Sequence, residues 1–82
     1  MQSFFAVKNA TDFPVISVAI DGNRVFYDIL KGDTSPFIPI MPGSITLTVY
    51  DNFEKIFLDR WISVPPSKKL VFSVSESGIL PI

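Results

Sequence analysis

The chain has no cysteine and no histidine. Those absences exclude disulfide staples, thiolate nucleophiles, Cys/His zinc sites and histidine acid/base catalysis. Glycine is scarce, with four in 82 residues, each explicable as a turn or terminal residue, so no Gly-rich phosphate cradle is present. Charge is also sparse: seven Lys and Arg against eight Asp and Glu give a net charge of −1. The basic residues are dispersed, Lys68-Lys69 being the single adjacent pair, which argues against a nucleic-acid or anionic-membrane surface. The charge-free stretch from Thr34 to Tyr50 is interrupted by Pro36, Pro39, Pro42 and Gly43, whereas a spanning helix needs about 20 mostly apolar residues. The opening MQSFFAVKNA has no basic n-region and does not read as a signal peptide, so the expectation is a mature or intracellular chain.

What is present is alternation. In VISVAID, Ile16, Val18 and Ile20 share one face while Ser17, Ala19 and Asp21 share the other, the pattern of a strand with one side buried. SITLTVY repeats it with Ile45, Leu47 and Val49, and LVFSVSE with Leu70, Phe72 and Val74. Half-buried strands of this kind imply antiparallel sheets with polar outer faces.

The separators are turn residues. Asp21-Gly22-Asn23-Arg24 predicts a two-residue hairpin in which Gly22 and Asn23 take positive φ. Met41-Pro42-Gly43-Ser44 suits a type II turn, Pro65-Pro66-Ser67 makes a stiff corner, and Pro36 and Pro39 confine residues 35 to 40 to a sheet edge. Strands are expected near 3–9, 15–21, 24–30, 36–40, 44–50, 54–64 and 69–75, with a possible eighth at 79–82. No segment sustains a helical period. The fold expected is therefore all-β: a single domain over residues 1–82, built as a two-sheet antiparallel β-sandwich of about seven strands.

KIFLDRWISV departs from clean alternation. Ile56, Leu58, Ile62 and Val64 alternate on one face with Arg60 interrupting, while Phe57 and Trp61 flank Asp59 on the other. A bulge near Asp59-Arg60 or a central position in the sheet accounts for two apolar faces.

The order of these features resembles a known family. Asn9-Ala10-Thr11-Asp12, Pro14, a strand ending Asp21-Gly22, an apolar strand to Leu30, then Gly32-Asp33, Ser35-Pro36-Phe37 and Pro42-Gly43 before Ile45-Thr46 are similar to the bacterial domain of unknown function 4397 family over residues 4–50. The resemblance implies an immunoglobulin-like sandwich, often carried at the cell envelope or surface, with no defined activity. Phe37 in place of the usual Tyr, a shorter second half and the lack of an export signal depart from the family pattern.

Candidate sites have plain competitors. Asp12, Asp21, Asp33 and Asp51 fall in turns, where Asp is favoured by its bonds to nearby backbone, and no Asp-x-Asp-x-Asp spacing supports a metal. Asn9-Ala10-Thr11 matches a glycosylation sequon but is also ordinary turn material. Ser67-Lys68 is the one nucleophile beside a possible base. Asp28 and Asp59 form a carboxylate pair that can meet across sheets, although nothing fixes a catalytic separation. The expectation is no enzyme, no metal and no cofactor. The surplus lies in apolar side chains: eight Phe, two Tyr and one Trp are more than a thin sandwich hides easily. An exposed aromatic patch marks a protein interface, so the expected function is a noncatalytic interaction or structural module that forms a homo-oligomer or docks on a protein partner. Phe57 and Trp61 are the first candidates for contact, followed by Phe26 and Phe53. The alternative is a carbohydrate- or peptide-binding module using Trp61 with Tyr27 or Tyr50.

Overall fold

The computed structural model describes residues 2 to 82, which form eight strands and no helix: β1 (Ser3–Asn9), β2 (Val15–Ile20), β3 (Asn23–Leu30), β4 (Ile38–Ile40), β5 (Gly43–Tyr50), β6 (Ile56–Val64), β7 (Lys69–Ser75) and β8 (Gly78–Pro81). They make two four-stranded sheets: sheet I in the order β4-β1-β7-β8, and sheet II in the order β3-β2-β5-β6. The inner faces of both sheets contribute to one apolar core, the sandwich-like arrangement that two amphipathic sheets require.

Of the nine side chains expected to point inward, Ile16, Val18, Ile45, Leu47, Val49, Phe72 and Val74 are buried, while Ile20 and Leu70 are half-buried against the same core. Phe5 of sheet I joins the layers: its ring centroid lies 5.5 Å from that of Phe26 in sheet II and 6.3 Å from that of Phe72 in its own sheet.

Four expectations are corrected. The eighth strand exists, pairing Val74 with Ile79 and Ser73 with Leu80. The sheets are not wholly antiparallel, because β1 runs parallel to β7, with Phe5 beside Leu70 and Val7 beside Phe72. A period of two marks the buried face of a strand but is blind to the direction of its neighbour. The third correction concerns β6, which is an edge strand of sheet II, not a central one. Its register shift falls between Val49↔Leu58 and Tyr50↔Ile56, so the extra residue is Phe57, before Asp59-Arg60. Arg60 keeps the inward parity of Leu58 and Ile62 yet is exposed.

Lastly, the hairpin between β2 and β3 turns on Asp21 (φ 49) and Gly22 (φ 85), one residue earlier than expected. Two successive positive φ angles are the type I′ geometry that matches strand twist. Pairing of Ile20 with Asn23 closes this turn. As expected from Pro39, β4 is a short edge strand.

A buried polar knot ties the sheets at one end. Asn9, at the end of β1, donates from Nδ2 to the carbonyl of Ile29 on β3 (2.9 Å) and to that of Phe13 (3.3 Å). Its Oδ1 accepts from the Thr11 amide (3.0 Å) and the Thr11 hydroxyl (2.6 Å). Asn9 is 0% exposed, so its amide serves as a structural cross-link and is closed to glycan attachment in the folded chain.

Candidate functional site

Strand register sorts the expected contact residues. Phe26 stands opposite Val18, and Ile29 opposite Ile16. β3 carries one residue more than β2 between those pairs, and Asp28 in that interval has φ 52. A second shift, with one extra residue of β3 between Arg24 and Phe26, turns Phe26 to the inner face, and the Asp28 bulge keeps Ile29 there beside it; Phe26 is 6% exposed, so it offers a partner no area. Phe57, displaced by its own bulge, is half-buried with its ring 4.9 Å from that of Phe13. Phe53 is 75% exposed in the loop between β5 and β6, and Trp61 is 78% exposed on β6. The four residues do not form one patch.

Trp61 lies on the outer face of sheet II. Its register partner is Thr46, and the next outward rank runs Asp59, Thr48, Ala19, Arg24 across the four strands. Tyr50 stands on the same face beside Ser17. The Arg24 guanidinium covers this rank: its carbon lies 4.0 Å from the Tyr50 ring centroid and 5.9 Å from that of Tyr27, and Nη1 is 2.7 Å from Glu54 Oε1. Asp59 accepts from the Thr48 hydroxyl (3.1 Å), and Asp21 accepts from the Thr46 amide (2.9 Å). Ser17, Ser44, Thr46, Thr48 and Ser63 give the remainder of this face a hydroxyl character. Alternation in β2 and β5 demands that face.

The outer face of sheet I is different. Phe4 stands between Pro39 and Lys69, Ala6 beside Val71, and Lys8 beside Ser73, with Leu80 next in that rank. Ile82 continues the line from β8, its amide bonded to the Val71 carbonyl (2.8 Å). Phe37 lies under the Lys69 ammonium, with Nζ 4.5 Å from the ring centroid. Phe4 on β1, Leu80 on β8, Phe37 just before β4 and Ile82 just after β8 are all exposed, and Val71 on β7 is half-buried between them, so apolar side chains on or beside all four strands share one side. They are far apart in sequence, which conceals the patch from any local window. The outward strand residues of this face include Lys8 and Lys69 and no acid. Neither lysine is in an ion pair among the described residues.

Chemistry-bearing groups are not assembled. Asp28 and Asp59 do not meet across sheets; they sit on β3 and β6, the two edges of sheet II, about 14 Å apart at the usual strand spacing. Ser67 has φ 56 in the turn before β7. Among the described residues no group of three His, Cys, Asp or Glu can hold a metal ion, and no helix is long and apolar enough to cross a membrane. A groove of about 330 Å³ lies between β6 and the β7–β8 hairpin, with Trp61 and Leu80 on its walls. A second, of about 270 Å³, follows β3 and residues 33 to 36. No family model, no curated protein and no solved structure matches the chain.

Proposed function

We propose that this chain is a noncatalytic association module that binds further copies of itself through exposed apolar surface. The observation that carries this reading is the outer face of sheet I, where Phe4, Phe37, Leu80 and Ile82 are exposed around a half-buried Val71 and no strand among the described residues packs over them. Contiguous apolar area of this kind on a small sandwich favours association, and a small domain gains stability from it by mass action. The immunoglobulin-like relationship and the kinship with the domain of unknown function 4397 family belong to this proposal, supported by two packed sheets with alternating inward residues and by the motif order over residues 4–50. An envelope or surface location rests on that kinship alone. Light scattering over a concentration series tests the function: the apparent mass is expected to rise with concentration, and a constant monomer mass contradicts it.

A second reading is favoured by a separate observation. Trp61, Tyr50 and Arg24 share the outer face of sheet II, with Tyr27 within reach of Arg24. Flat amphipathic rings beside hydroxyl and carboxylate groups suit a carbohydrate or an extended peptide. Titration of Trp61 fluorescence with a panel of glycans is expected to show saturable quenching on this reading; a flat response across the panel removes it.

A further inference from the structure

We infer that the second copy docks head to tail, seating the outer face of its sheet II on the outer face of sheet I. This rests on the self-association proposed above and adds the identity of the two contact surfaces. The first argument is charge. The sheet I face carries Lys8 and Lys69 with no acid among its outward strand residues. On the sheet II face Arg24 is engaged by Glu54, whereas Asp59, Asp21 at its rim and the exposed Asp28 on the β3 bulge belong to no ion pair among the described residues. Two sheet I faces brought together set lysines against lysines, and two sheet II faces set carboxylates against carboxylates. The mixed contact opposes unlike charges, the arrangement that steers encounter and suppresses wrong pairings.

Surface character points the same way. Trp61 on the sheet II face is a large amphipathic ring suited to a partly apolar contact, and the apolar side chains of sheet I supply the opposing area. The molecule measures 35 × 21 × 20 Å, and its broad faces are of the size that each partner gives to a standard interface, about 800 Å².

The geometry has a consequence. Apart from the edge groove where Trp61 and Leu80 meet, the two outer faces lie on opposite sides of the sandwich, so a head-to-tail contact leaves one face free at each end. Assembly then continues past the dimer, the behaviour of a heterologous contact that does not close.

Sedimentation of two complementary variants tests this. Lys8→Glu/Lys69→Glu reverses the sheet I face, and Asp59→Thr/Trp61→Thr strips the sheet II face of its carboxylate and ring without giving it a charge that the reversed face could pair with. Thermal melting at low concentration checks that each is folded; if the second is not, Asp59→Asn/Trp61→Ser replaces it. Wild-type protein is expected to grow beyond dimers with rising concentration. Each variant alone is expected to associate at least about tenfold more weakly, as loss of complementary charge implies. An equimolar mixture is expected to give a 1:1 dimer that grows no further, because only one intact face of each kind remains. A mixture that stays monomeric, or one variant that assembles as well as wild type, overturns the inference. If wild type associates in either case, the broader function survives; if wild type is monomeric throughout, both fail together.

Discussion

The side-chain amide of Asn9 on β1 donates to the carbonyl of Ile29 on β3 at 2.9 Å, a buried hydrogen bond that runs from one sheet to the other. Leu30, next to Ile29, accepts from the Asp33 amide (2.9 Å), and the Asn9 amide in turn donates to the Asp33 carbonyl (2.9 Å). The strand end and the following loop are thus held by one residue. Asn9→Ala removes every bond of that side chain and leaves buried backbone carbonyls without partners. The expected cost is about 2–4 kcal/mol, read as a lower urea midpoint with an unchanged slope.

Burial separates two phenylalanines of equal size. Phe5 is enclosed between Phe26 and Phe72, so Phe5→Ala is expected to cost about 3–5 kcal/mol. A chain of this length has a total stability of about 4–12 kcal/mol, so the variant is expected to lose a large fraction of it and to melt at a markedly lower temperature. Phe53→Ala, at an exposed loop position, is expected to stay within about 0.5 kcal/mol of wild type. Circular dichroism melts of the pair check the contrast.

Much of this was legible in the sequence, and the remainder fails for identifiable reasons. β2, β5 and β7 alternate without interruption, so their inward residues follow from parity alone. Phe26 does not, because β3 carries an extra residue on each side of it, so parity changes twice and nothing in Val25-Phe26-Tyr27-Asp28 announces it. A single bulge displaces Phe57 in the same unannounced way. The parallel partner of β1 is a long-range pairing that period two leaves open. Trp61 and Phe57 flank Asp59 on a strand that is apolar on both faces, so the sequence offered both as contact residues without showing which is exposed, whereas the sheet I patch is assembled from residues 4, 37, 71, 80 and 82, and only topology brings them together.

Gly22 is the glycine whose conformation carries the hairpin. At φ +85, with no atom within 4 Å of an added Cβ, the cost of Gly22→Ala is conformational, not steric. About 1 kcal/mol of destabilisation is expected, measured by chemical denaturation.

The single tryptophan reports on the sheet II face. In dilute protein, Trp61 at 78% exposure is expected to emit like indole in water and to be quenched freely by iodide. At concentrations where copies stack, the emission is expected to move to the blue and quenching to fall. Emission that is blue-shifted even in dilute monomer contradicts the placement of Trp61.

The contact role of the sheet I face is tested most directly by sedimentation velocity of Leu80→Glu/Ile82→Glu beside wild type over one concentration series. Both positions are exposed, so the melting temperature of the monomer is expected to be unchanged while association is lost. A double variant that assembles as wild type does contradicts the assignment of that face.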